Sequence, residues 1–78
     1  MTILTLYSGQ HCHLCDVATT MLQQVSPEAW HETTVVDVSS DPQLRHQYGA
    51  RIPVLYRNDS REELAWPFDV ESLINFLS

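Results

Sequence analysis

The chain has 78 residues, 44% of them hydrophobic and 18% charged, which supports one domain over residues 1–78 with a modest core. Ten acidic residues stand against four arginines and no lysine, giving a formal charge of −6. That balance argues against nucleic acid and anionic membrane surfaces, both of which are gripped by Lys and Arg.

The first residues, from Ile3 to Tyr7, alternate aliphatic and polar side chains and predict a strand. They lack the basic region of a signal peptide, and no apolar run approaches the roughly 20 residues of a membrane span, so a cytoplasmic location is expected. Ser8-Gly9-Gln10 breaks the strand. From Cys12 onward the pattern turns helical, with Leu14, Ala18, Met21, Leu22 and Val25 on one face, until Ser26-Pro27 stops or weakens it. Thr33 to Val38 is rich in β-branched residues and predicts a second strand.

Ser40-Asp41-Pro42-Gln43 marks a helix start, either as a capping box from Ser40 to Gln43 or as Asp41 capping a helix that opens with Pro42. This short helix runs to about Tyr48, where Gly49 ends it, and its apolar face is only Leu44 and Tyr48. Pro53 to Tyr56 predicts a third strand, Asn58-Asp59-Ser60 a turn, and Glu63 to Trp66 the returning fourth strand. Asp69 caps a final helix with Val70, Leu73, Ile74 and Leu77 at i, i+3, i+4 and i+7. The order βαβ-α-ββ-α implies an α/β fold: a four-stranded mixed sheet with helices on both faces.

Two cysteines in a cytoplasmic chain do not form a structural scaffold; a close pair is catalytic or metal-binding. Cys12-His13-Leu14-Cys15 lies where the first strand gives way to the first helix. A helix start carries unsatisfied amides and partial positive charge, which stabilise a thiolate. Cys12, at the very start, is the expected nucleophile. Cys15, one turn on, can reach back to resolve a mixed disulfide. His11 and His13 flank Cys12 and are candidates to tune it, against the plainer reading of solvated loop residues. As metal ligands, His11, Cys12, His13 and Cys15 have no second ligand pair elsewhere, since His31 and His46 stand alone, so no metal is expected.

With this motif after strand one and Ile52-Pro53 entering strand three, the whole chain resembles the glutaredoxin-like family of the thioredoxin superfamily. The resemblance is carried by Tyr7-Ser8-Gly9-Gln10-His11-Cys12-His13-Leu14-Cys15-Asp16 and by Tyr48-Gly49-Ala50-Arg51-Ile52-Pro53-Val54-Leu55. It implies a thioredoxin-like, glutaredoxin-type fold. It also implies a thiol–disulfide oxidoreductase in which Cys12 attacks protein disulfides or glutathione mixed disulfides and Cys15 resolves them. The family's cis-proline maps onto Pro53 and would bring the Ile52 backbone beside Cys12 for substrate pairing; read by itself, Pro53 is a trans proline opening an edge strand. No bound cofactor is implied. Glutathione is a candidate co-substrate, a thioredoxin-reductase-type protein a candidate reductant, and a monomer suffices. Two alternatives come with the family: an iron–sulfur binding module, or a redox-inert interaction domain.

The sequence departs from the family's common pattern in three places. Gln10 and His11 stand where a basic residue often precedes the first cysteine. His13-Leu14 replaces the usual pair between the cysteines, and Ala65-Trp66-Pro67-Phe68-Asp69 replaces a glycine-rich acidic turn. Asp69 is thus either a substrate contact or simply a helix cap. Arg51 either meets a substrate carboxylate or is a surface arginine. Asp37 is either a proton-relaying acid or a solvated strand end, and Trp66 and Phe68 read first as packing.

Overall fold

The computed structural model describes residues 4–78. In chain order these are β1 (Leu4–Ser8), α1 (His13–Val25), α2 (Pro27–His31), β2 (Thr33–Asp37), a 3-10 turn (Val38–Ser40), α3 (Pro42–Tyr48), β3 (Val54–Arg57), β4 (Glu63–Ala65) and α4 (Val70–Leu77). Ile3, the first residue of the predicted strand, lies outside the described residues.

The strands form one mixed sheet in the order β2-β1-β3-β4. β1 and β2 are parallel, with Leu4 opposite Thr33 and Ser8 opposite Asp37. β3 runs antiparallel to both neighbours, so that Leu6 faces Leu55 and Leu55 faces Leu64. Because side chains alternate across a strand, the sheet separates two cores. Leu4, Leu6 and Leu55 join Ala18, Leu22, Phe68 and Leu73 on the face covered by α1 and α4. Val54, with Tyr7 and Ala65 beside it, packs against Val38 and Tyr48 on the face covered by α3.

Ser26 does more than stop α1. Its N–H bonds back to the Leu22 carbonyl while its hydroxyl accepts the Ala29 N–H at 3.2 Å. One residue closes α1 and caps α2, whose first position is Pro27. α2 was not expected from the sequence; five residues are too few to show a 3.6-residue period. The Thr33 hydroxyl then donates to the Ala29 carbonyl at 2.7 Å, tying α2 to the start of β2.

The second strand ends one residue sooner than predicted, because the Asp37 carboxylate accepts the Ser39 N–H at 2.8 Å and curls the chain into the 3-10 turn. Of the two starts open for α3, the structure has the Asp41 cap: its carboxylate accepts the N–H groups of Gln43 and Leu44. Two helix faces depart from the predicted ones, α1 in Leu14 alone, since Met21 and Val25 pack on the core with Ala18 and Leu22 as expected. On α1 the buried stripe is Cys15, Ala18 and Leu22, leaving Leu14 exposed. On α4 it is Leu73 with Phe76 and Leu77, while Val70 and Ile74 face outward, since the short helix has only the sheet and α1 to cover one side.

Candidate functional site

Ser8 and Asp37, the paired last residues of β1 and β2, lie at one end of the sheet. β3 enters at that end, with Val54 opposite Tyr7, and β4 leaves it, with Ala65 opposite Val54. Four connecting segments therefore meet there: residues 9–12, the turn after Asp37, Arg51-Ile52-Pro53, and Trp66 to Asp69. The Trp66 N–H donates to the Pro53 carbonyl at 3.0 Å, and the Ile52 Cδ1 lies only 2.8 Å from where a Cβ on Gly9 would sit. The loop leading to Cys12 thus touches the loop leading to Pro53. The Ile52–Pro53 peptide is cis, and so is Trp66–Pro67, which nothing in the sequence pattern marks.

Cys12 and Cys15 form a disulfide with an S–S distance of 2.16 Å and Cα atoms 5.2 Å apart. Cys12 is the N-cap of α1, and its sulfur accepts the Cys15 N–H at 3.1 Å. Cys12 is partly exposed, whereas Cys15 is buried to 3% of its surface. The two sulfurs thus differ in access as well as in position along the helix. The cap places an amide and the positive end of α1 against the Cys12 sulfur, where a thiolate would be stabilised.

His11 and His13 are exposed on either side of Cys12. His11 has φ 55, in the left-handed region, which histidine tolerates better than most residues. Asp37 is held as a carboxylate: hydrogen bonds from the Ser39 hydroxyl and amide lower its pKa, and Gln10 adds to them. It caps the 3-10 turn, and its Gln10 contact ties that turn to the loop before Cys12.

Arg51 is paired. Its Nη2 lies 3.0 Å from Glu63 Oε1, and its guanidinium carbon stands 5.5 Å over the Tyr48 ring. The Tyr48 hydroxyl donates to Glu63 Oε2 at 2.8 Å, and Tyr7 stacks on Tyr48 with ring centroids 4.2 Å apart. Bonds from Tyr48 and Arg51 lower the Glu63 pKa; burial, then the Glu63 carboxylate, raises that of Tyr48. Tyr48 and Glu63, placed by the sequence on a helix face and at the start of a strand, were not marked there as site residues. The signal was the alternation in β4, which puts Glu63 on the same face as Ala65, but its register against α3 is not encoded locally.

Asp69 caps α4, its carboxylate accepting the Ser72 N–H at 2.8 Å, and the Ser72 hydrogen bonds lower its pKa. It remains exposed at the same end of the sheet as the cysteines. Trp66 and Phe68 pack edge to face, centroids 5.0 Å apart, against the α1/α4 core. Among the described residues no three His, Cys, Asp or Glu side chains converge to hold a metal, and no helix is long and apolar enough to cross a membrane. A cavity of about 200 Å³ lined by Leu4, Ser26, Ala29, Arg57, Asp59 and Leu77 lies at the opposite end of the sheet, away from both cysteines.

Residues 3–78 match the family described as Glutaredoxin-like domain. No curated protein matches the chain. It is similar to protein XcR50 from X. campestris, whose X-ray structure is 40% identical, with 95% of this chain and 93% of that one covered and a TM-score of 0.84. It is also similar to protein Ne2328 from Nitrosomonas europaea, at 27% identity, with 97% and 91% of the two chains covered and a TM-score of 0.79. Thioredoxin 1 from Thermosipho africanus is 18% identical, with 95% and 88% covered and a TM-score of 0.68, so the fold is that of thioredoxin.

Proposed function

The chain belongs to the glutaredoxin-like domain family, and from that membership we propose that it is a thiol–disulfide oxidoreductase acting on protein disulfides or glutathione mixed disulfides. One observation carries the reading: a partly exposed cysteine at a helix N-cap lies within bonding distance of a buried cysteine one turn on.

In the reduced protein the Cys12 thiolate attacks one sulfur of the substrate disulfide. A bond forms between Cys12 Sγ and that sulfur, and the other substrate sulfur leaves as a thiolate. Cys15, deprotonated, then attacks Cys12 Sγ and releases the second substrate thiolate. The substrate gains two electrons and, on protonation of both thiolates, two protons, while Cys12 and Cys15 end as the disulfide seen here. A thiol reductant, glutathione or a reductase dithiol, restores the pair by the reverse exchange. His11 and His13 lie at the nucleophile, where an imidazole can exchange protons with the leaving thiolates. The Ile52 backbone, beside the Gly9 loop, offers an edge for the substrate chain. This chemistry suits a cytoplasmic monomer working where thiols are kept reduced.

Cys15→Ser, mixed with a disulfide-bonded peptide, is expected to accumulate a covalent adduct at Cys12, read by peptide mass mapping. An adduct on the Cys15→Ser variant that forms only with denaturant present would overturn the reading.

A further inference from the structure

The four cations of the chain are Arg45, Arg51, Arg57 and Arg61. Arg57 donates to the Asp59 carboxylate and to main-chain oxygens of Phe76 and Ser78, at the end of the sheet away from the cysteines. Arg61 belongs to the same distant hairpin, and Arg45 lies within α3. Arg51 is the one arginine within two residues of Pro53, and its guanidinium is already engaged by the Glu63 carboxylate. Glu63 itself pairs with Tyr56 in the sheet, two residues further from that end than Ala65, about 7 Å along the strand. Both Glu63 oxygens are used, one by Arg51 and one by Tyr48, and the Tyr48 ring lies beneath the guanidinium. Carboxylates of Asp16, Asp37 and Asp69 meanwhile stand on the segments around Cys12.

Resting on the oxidoreductase reading above, we infer that Glu63 is a specificity-determining residue that makes the dithiol centre discriminate against anionic disulfides, glutathione disulfide among them, by neutralising Arg51. The favoured substrates are neutral or cationic disulfides, such as those in basic peptide segments. An approaching anion meets carboxylates and finds Arg51 already neutralised, which lowers its encounter rate with Cys12. The chemical step is unchanged: two electrons pass from the Cys12/Cys15 dithiol to the substrate disulfide, which leaves as two thiols.

The test compares the rate at which the reduced full chain is oxidised by three small disulfides: cystamine, a dication; hydroxyethyl disulfide, neutral; and glutathione disulfide, an anion. Acid quenching and intact mass follow the loss of two hydrogens. The decisive quantity is the rate with glutathione disulfide divided by that with hydroxyethyl disulfide, which cancels any change in folded fraction between variants. In the unaltered chain glutathione disulfide is expected to be slowest, by on the order of tenfold at low salt, the gap narrowing as salt rises. Glu63→Gln is expected to raise the ratio about threefold or more by freeing Arg51. Glu63→Gln combined with Arg51→Gln should return it, and Arg51→Gln alone, which leaves the Glu63 carboxylate unpaired, should lower it. A ratio unaltered by Glu63→Gln, or raised as much in the double variant, would overturn the inference. If all three disulfides react at charge-independent rates, the selectivity alone fails. If none oxidises the dithiol, the oxidoreductase reading itself fails.

Discussion

The backbone N–H of Cys15 points at the sulfur of Cys12 from 3.1 Å, so the two cysteines are joined by a helix cap as well as by their disulfide. The cap needs only the start of α1 and not the S–S bond, so it is expected to persist on reduction. On reduction the same amide faces a thiolate, and a charged acceptor strengthens such a bond.

From that relationship Cys12 in the reduced chain is expected to ionise well below the free-cysteine value of about 8.5. The pH dependence of iodoacetamide alkylation in Cys15→Ser, followed by mass, measures it with a single thiol present. A midpoint at or above that of free cysteine would show that the cap does not act on the sulfur.

Acid should destabilise the fold in a defined window. The carboxylates of Glu63, Asp37, Asp59 and Asp69 are all held below their ordinary pKa by hydrogen bonds. Each therefore binds its proton less readily folded than unfolded. The stability they contribute is complete above their unfolded values, about 4, and is lost as pH falls through the lower folded values. Tyr48 acts at the other limb: its raised pKa favours the fold below about 10, and that contribution fades as pH rises further. Denaturant midpoints across pH should thus show a plateau with a fall on each side. Glu63→Gln should make the acid fall shallower, since it keeps an acceptor for Tyr48 and removes one titrating group.

Ser26→Ala should cost about 1 kcal/mol, the usual value for a lost N-cap, because the Ala29 N–H loses its acceptor. Ser26→Asp should restore most of it. The measurement is equilibrium unfolding of both variants; a loss confined to local proteolysis at α2, with no change in global stability, would mean that α2 frays independently of the core.

What was legible in the sequence was local. The CxxC at the strand–helix junction, the Asp69 cap, Asp41 as one of two candidate caps, and the order of strands and helices apart from α2 each depend on residues within one or two turns of each other, so pattern and propensity reveal them. α2 was missed because Ser26-Pro27 is both a helix stop and a helix start, and only the packing of Ala29 and Trp30 on the core decides that the chain resumes. The outward turn of Val70 and Ile74 depends on how much of α4 the sheet can cover, which spacing cannot tell. The Arg51–Glu63–Tyr48 network joins residues 12 and 15 positions apart through strand register. Composition displayed Arg51 as one of a few cations, but not the carboxylate that occupies it.

The two loops of the site come together at Gly9, where an added Cβ would stand 2.8 Å from Ile52 Cδ1. That atom ends a flexible side chain, so Gly9→Ala should fold with little loss of stability while turning Ile52 to another rotamer. If the position of Ile52 against the Cys12 loop matters for substrate docking, disulfide exchange should slow. Ile52→Val removes the colliding methyl, so the pair Gly9→Ala and Ile52→Val should recover the exchange rate that Gly9→Ala alone loses. Measuring the four rates closes a double-mutant cycle. Additive effects would mean that Gly9 acts only through its own backbone; recovery would establish contact between the two loops as the reason for glycine at this position.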